Sequence, residues 1–260
     1  MQTEDYEYLH NLEENLWWFV GMEEITQTLF DQIFIEQKDR RILDAGCGTG
    51  GMLKFLQKYA GTEEVIGIDY VKTALDFCVK RKIEKLVQAS ATDLPFGDEI
   101  FDLVTSFDVI VQIPGAGADV QAIREMYRVL KPGGIAFVRV AAYNWMRSGH
   151  DEALATQRRY TLPEIVEKME KNGFQILRAT YANSFLFPVA FVRRQVLKRI
   201  GLADKGSDVK PLPENLQWLN RLMTGVLKKE SAILKNKNGK LPFGLSAICI
   251  AQKQNNLSKS

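Results

Sequence analysis

Between residues 41 and 140, short apolar runs alternate with longer stretches whose apolar residues recur every three or four positions. Continuous short runs read as buried strands, and the three-to-four spacing reads as one face of a helix. Strands are predicted at 41–45, 64–69, 86–87, 102–107 and 135–140. A helix at 50–60 is predicted from Met52, Leu53, Phe55, Leu56 and Tyr59, and another at 73–82. A third carries Ile123, Met126, Tyr127 and Leu130 and stops at Lys131-Pro132-Gly133-Gly134, a breaker followed by a turn. This alternation builds a parallel sheet with helices on both faces.

The flanks follow other patterns. Residues 1–36 read as two helices, one carrying Leu9, Leu12, Leu16 and Phe19, the other Ile25, Leu29 and Ile33, with Gly21 as the break. The cluster Trp17-Trp18-Phe19 beside that break is either core or a cover for the site. Residues 141–160 form a long polar and aromatic connection. Thr161 and Glu164 have capping-box spacing and open a helix that ends at Asn172-Gly173. A strand follows at 174–180, an aromatic and basic helix at 184–200, a polar loop at 201–213, a helix at 214–234 and a last strand at 244–251. The expected organisation is an N-terminal helical lid (1–36), a core (37–183), an inserted helical lid (184–240), the last core strand (241–252) and a disordered tail (253–260). The expected fold is α/β, doubly wound, with a mostly parallel seven-stranded sheet. A hairpin of the last two strands makes one strand antiparallel.

The candidate chemistry gathers at the ends of the first two strands. Ile42-Leu43 runs into Asp44-Ala45-Gly46-Cys47-Gly48-Thr49-Gly50-Gly51 and then a helix. Glycine permits φ > 0 and close approach of a ligand, and the helix that follows presents free N–H groups. Val65-Ile66-Gly67-Ile68 ends at Asp69, placed to accept from two ribose hydroxyls. Gly46, Gly48 and Gly51 also fit the dinucleotide fingerprint G-x-G-x-x-G, so a nucleotide-binding oxidoreductase using NAD is one reading.

Other segments separate the readings. Asp44 to Gly50 resembles motif I of the class I S-adenosylmethionine (SAM)-dependent methyltransferases, and Gly67-Ile68-Asp69 resembles their ribose motif. Ser90-Ala91-Thr92-Asp93-Leu94-Pro95-Phe96 with Phe101-Asp102-Leu103-Val104 resembles their adenine-side loop and fourth strand. Arg128-Val129-Leu130-Lys131-Pro132-Gly133-Gly134 resembles the turn before the fifth strand. The order is similar to the small-molecule, type 11 branch over residues 40–140, and more weakly at both ends. The resemblance implies a Rossmann-like fold and SAM as cofactor, with S-adenosylhomocysteine as product. It implies that Gly46, Cys47 and Gly48 pass under the methionine part, that Asp44 orients its amino group and that Asp69 accepts from the ribose. Tyr70 then lies on the adenine or is a surface tyrosine, Ser90 and Ala91 border the adenine edge, and Phe107 and Gln112 adjoin the cofactor.

Two departures from the family pattern stand out. Many members carry an Asp at the Ser90 position. Many read Asp-Val-Leu-Glu-His where this chain reads Asp108-Val109-Ile110-Val111-Gln112, so a histidine base at that place is missing. That loss keeps a non-catalytic SAM-binding protein among the readings. Asp108 is read as capping the next segment. His150 is the candidate general base, with Asp151 to orient it, since an imidazole titrates near neutral pH; the alternative is a loop histidine bonded to a carbonyl. Trp18, Tyr143, Asn144, Arg159 and Tyr160 are the candidate substrate-binding residues. Arg158 and Arg159 meet either an acidic substrate group or the acids of residues 1–40.

Composition narrows the partners. The 260 residues carry a net charge of +2. Residues 1–40 hold ten acids against two bases, and residues 190–240 hold twelve bases against four acids. The bases are dispersed, which argues against a nucleic-acid site. Cys47, Cys78 and Cys249 form no framework, consistent with a cytoplasmic protein, and two histidines offer no metal set. The N-terminus is acidic, unlike a signal peptide. The segment 184–200 mixes Phe185, Phe187 and Phe191 with Arg193, Arg194, Lys198 and Arg199, which suits either a membrane surface or greasy substrate or an ordinary helix with one solvated face. The expected acceptor is a small molecule. The oligomeric state and the acceptor atom are not legible.

Overall fold

The computed structural model describes residues 3–197 and 213–255. Lys198, Arg199, most of the expected 201–213 loop and residues 256–260 of the expected tail lie outside the described residues.

Seven strands form one sheet in the order β3-β2-β1-β4-β5-β7-β6. They are β1 (Ile42–Ala45), β2 (Val65–Asp69), β3 (Leu86–Gln88), β4 (Phe101–Phe107), β5 (Leu130–Ala141), β6 (Phe174–Ala182) and β7 (Ser246–Lys253). β1 pairs in parallel with β2 and β4, β2 with β3, and β4 with β5. β7 runs antiparallel between β5 and β6. The doubly wound α/β sheet expected from the periodicity is therefore the one observed. The central strands are buried on both faces, so they read as unbroken apolar runs rather than alternating ones.

The flanking helices are α1 (Thr3–Leu12), α2 (Trp17–Phe30), α3 (Gly51–Ala60), α4 (Lys72–Lys80), α5 (Ala118–Val129), α6 (Gly149–Ala153), α7 (Leu162–Lys171), α8 (Phe187–Phe191) and α9 (Gln217–Leu234). A π-helical stretch, Val192–Leu197, continues α8. The capping box of α7 forms as expected, with Thr161 and Glu164 bonding reciprocally.

Three expectations change. Lys131 to Gly134 does not stand outside the strand: β5 starts at Leu130, and the register slips between Phe101↔Leu130 and Leu103↔Ile135, so the glycines form an irregular excursion within β5. The last strand continues through Lys253, whose buried ammonium donates to the Leu130 carbonyl at 2.8 Å, so this residue belongs to the sheet and not to a tail. Gly21 does not break a helix. The break falls at residues 13–16, and Gly21 lies inside α2, where it lets α9 approach. A Cβ on Gly21 would sit 2.3 Å from Cδ1 and 2.6 Å from Cβ of Leu227.

That close approach joins two segments 200 positions apart in the chain. Asn220 Oδ1 accepts from the Trp17 N–H at 2.7 Å, and the Thr28 and Ser231 hydroxyls share a hydrogen bond of 2.6 Å. α2 in turn sets Phe30 edge-on against Phe137 of β5, with ring centroids 5.1 Å apart. α2 and the inserted helix α9 thus pack together as one layer on the sheet. Gly21→Ala is expected to destabilise the protein by about 1–3 kcal/mol, because Leu227 is packed at its own Cβ and the helices must separate. Urea denaturation measures this; a loss below half a kilocalorie would show that the helix pair can shift at little cost.

Candidate functional site

The carboxyl ends of β1, β2, β4 and β5 meet at one edge of the sheet. In open α/β sheets the crevice at this edge, where the strand order reverses, is the binding position. The reversal lies between β1 and β4, beside the glycine turn.

Asp69 organises that turn. Its Oδ2 accepts from the Gly48 N–H at 3.0 Å and its Oδ1 from the Val71 N–H at 2.8 Å. One carboxylate thereby ties the β1–α3 turn to the β2–α4 turn. Burial pushes its pKa up, against the pull of these backbone bonds. A carboxylate has about four lone-pair directions, so two bonds leave acceptor capacity. The glycines divide the work. Gly48 (φ +55) has open space where a Cβ would stand, while Gly46 (φ +96) has Val109 Cγ2 at 2.2 Å there. Gly48 is the open cradle; Gly46 is needed for packing against the segment after β4. Cys47 turns inward: its Sγ would lie 2.9 Å from a Cβ on Gly67, and its thiol is held protonated by its hydrogen bond with Cys78 and by burial. Only its backbone is available to a ligand.

Asp44, at the same edge, is fully buried and accepts from the Thr105 hydroxyl at 2.7 Å. Burial raises its pKa to about 7, opposed by the Thr105 bond and the charge of Arg139. Glu13, in the turn between α1 and α2, lies against Gly51 at the start of α3 and receives Arg81 at 2.9 Å. Ser90 shares a hydrogen bond of 2.7 Å with Thr92, half-buried Ala91 follows it, and the Tyr70 side chain is 76% exposed. Phe107 and Gln112 are half-buried on either side of Asp108.

Residues 43–138 match a family model described as "Methyltransferase domain". Over these residues the chain is similar to methyltransferase domains. Sterol 24-C-methyltransferase of Schizosaccharomyces pombe is 29% identical over 159 residues, 53% of this chain and 40% of the relative. Demethylmenaquinone methyltransferase of Staphylococcus carnosus is 40% identical over 105 residues, 38% of this chain and 42% of the relative. The chain therefore matches about two-fifths of the length of these curated relatives. Among solved structures, a SAM-dependent methyltransferase from Thermotoga maritima matches with TM-score 0.56 and 16% identity, over 96% of this chain and 98% of that one. Phosphoethanolamine N-methyltransferase 2 of Haemonchus contortus, solved with S-adenosylhomocysteine, matches with TM-score 0.55 and 19% identity, over 88% and 53%. These structural likenesses establish the fold.

Away from the glycine turn, several expectations are corrected. Arg159 is buried and donates from Nε and Nη2 to Asp151 (2.6 and 3.2 Å) and from Nη1 to the Ala142 carbonyl, so its donors are engaged within the fold. Asp151 is occupied by Arg159 and by the Ser148 N–H, and is not available to orient His150. Arg158 pairs with Asp119, which also accepts from Tyr160 and Lys168. Neither arginine meets the acids of residues 1–40. Asn144 accepts from the Arg159 N–H at 3.2 Å. His150 is carried on α6; its side chain lies outside what the structure describes. Asp108 does not cap a helix but receives Arg139 Nε at 2.7 Å.

Tyr143 stacks on Tyr181 with centroids 5.3 Å apart and lies near Trp145 and Phe187. The sequence reading missed Arg139, an arginine inside the apolar run Ile135 to Val140 of a central strand. A charge interrupting a buried strand is a usable signal, because such a group must find partners.

The buried acid predicts a pH dependence. A carboxyl whose folded pKa lies above its unfolded value binds more protons when folded, so stability falls as pH rises between the two. For Asp44 the window runs from its ordinary 3.8 to about 7. The melting temperature of the unliganded protein is expected to fall across that window, and Asp44→Asn is expected to flatten the slope. An unchanged slope in the variant would show that Asp44 does not carry the titration.

Proposed function

We propose that this protein is a SAM-dependent methyltransferase acting on a small-molecule acceptor. The observation that carries this reading is the open cradle at Gly48 tied to Asp69, with buried Asp44 beside it. The residues present fit the cofactor. Gly48 offers backbone with no side chain over it, Asp69 has acceptor capacity for ribose hydroxyls, and Asp44 is a buried acid suited to an ammonium. Ser90 and Ala91 would border the adenine, and Phe107 and Gln112 would adjoin the methionine chain.

When bound, SAM supplies a sulfonium-activated methyl group. The work left to the protein is to align an acceptor with it and exclude water. A base is needed where the acceptor atom carries a proton. His150 is proposed as that base, supported by its place in the connection that follows β5. His150→Ala is expected to retain S-adenosylhomocysteine affinity and lose turnover; an unchanged single-turnover rate would remove it from the mechanism.

The acceptor is proposed to be lipophilic. Trp145 (52% exposed), Phe191 (40%) and Phe243 (43%) extend the aromatic cluster around Tyr143 to the surface. Sterol and demethylmenaquinone methyltransferases among the relatives agree with this. The segment 184–200 is the proposed contact with such an acceptor or with the lipid surface that holds it. Among the described residues no helix is long and apolar enough to cross a membrane.

Thermal shift separates the cofactor readings: SAM and S-adenosylhomocysteine are expected to raise the melting temperature and NAD to leave it unchanged. Stabilisation by NAD alone would reverse the assignment to an oxidoreductase. With methyl-labelled SAM and a host metabolite extract, label is expected in the organic phase. Label confined to the aqueous phase would sink the lipophilic acceptor, and no transfer to any fraction would favour a non-catalytic SAM-binding protein.

A further inference from the structure

Arg139 is a buried cation with an incomplete set of partners. It stands on β5 opposite Phe107 of β4 and is 5% exposed. Its guanidinium carbon lies 5.0 Å from the Trp18 ring centroid and 5.1 Å from that of Phe107. An aromatic face attracts a planar guanidinium and restricts its movement. Nε donates to Asp108 Oδ2 at 2.7 Å. Nη1 and Nη2 donate to no partner among the described residues, and neither is fully enclosed. Two parallel N–H groups on one guanidinium, open to a ligand, match a carboxylate.

Its surroundings indicate which carboxylate. Asp108, the residue that tethers Arg139, precedes Val109, and Val109 packs on Gly46 in the glycine turn. Arg139 is also close enough to act electrostatically on Asp44. A buried acid and a buried base therefore flank the same turn. An α-amino acid end carries one ammonium and one carboxylate on a single carbon. That pair of opposite charges is what Asp44 and Arg139 complement.

We propose that Arg139 binds the carboxylate of the cofactor's amino-acid end, while Asp44 faces its ammonium. This rests on the reading of the site as a SAM site. Trp18 and Phe107 hold the guanidinium flat and Asp108 fixes its orientation. The N-terminal segment thereby contributes to cofactor selection through Trp18, without needing a charge of its own.

The test is calorimetric titration of the wild type, Arg139→Gln and Arg139→Lys. The ligands are S-adenosylhomocysteine and its decarboxylated amine analogue, S-adenosyl-3-thiopropylamine. The wild type is expected to prefer S-adenosylhomocysteine. Arg139→Gln is expected to bind it about ten- to a hundredfold more weakly, the range for a lost hydrogen bond to a charged group, and to bind the amine analogue as the wild type does. Arg139→Lys keeps the charge and is expected to retain part of the preference; it carries the test alone where circular dichroism shows the glutamine variant to be unfolded. Equal losses for both ligands, an unchanged affinity for S-adenosylhomocysteine, or a full preference in the lysine variant would overturn the role of Arg139. A wild type that binds neither ligand would overturn the SAM reading itself, and the proposal with it.

Discussion

The two hydrogen bonds from the Gly48 and Val71 N–H groups to Asp69 join the ends of β1 and β2, and the rest of the site is built around that junction. The β1–α3 turn has one packed side chain of its own, Cys47, and is otherwise held by groups outside it. Gly48, Gly50 and Gly51 supply none, and Thr49 is turned inward. The position of the turn is set from outside, by the carboxylate of Asp69 in front and by Cys78 and Ile83 behind Gly50. Because Asp69 bonds to backbone N–H groups, it keeps the turn in place while retaining acceptor capacity for a ligand. A turn fixed this way offers backbone, open space and negative charge together, the combination a nucleoside with a cationic tail calls for.

Charge at this edge is unbalanced. Asp44 is buried and Asp69 and Glu13 are half-buried acids close enough to raise its proton affinity, with Arg81 and Arg139 as the bases beside them. Burial of like charges is unfavourable without compensation, so the pocket holds free energy that a cationic ligand can recover. Arg81 is spent on the N-terminal segment and the glycine turn, where it binds Glu13, Glu14 and the His10 and Thr49 carbonyls. Arg139 is spent on one bond to Asp108. The difference between these two arginines is what separates a structural clamp from a group that can receive a ligand.

The acceptor side is made differently. It depends on tertiary contacts among segments far apart in sequence: the connection after β5, the end of β6, α8, and the stretch before β7. Tyr143, Trp145, Phe187 and Phe243 meet there. Two arginines in this layer are paired internally, Arg159 with Asp151 and Arg158 with Asp119. Trp145, Phe191 and Phe243 face outward from it.

The alternation of strands and helices, the glycine turn and the acid ending β2 were legible in the chain itself, because each is a short-range pattern. A two-residue or three-to-four-residue period shows which side is buried, and a glycine or a capping box marks where an element stops. Gly21, Arg139, Arg158 and Arg159 were not legible in that way. A glycine in a helix looks like a break until Leu227, from the other end of the chain, is seen against it. An arginine looks available until the acid that pairs with it is known, and Asp151, Asp119 and Asp108 are brought to their partners by the packing of β5, α5 and the connections around them. Local patterns determined the alternation of strands and helices and the place of the glycine turn and its strand-end acid. Which charges are satisfied and which are left to meet a ligand was decided only by the tertiary structure, since ion pairing depends on distances that no local pattern encodes.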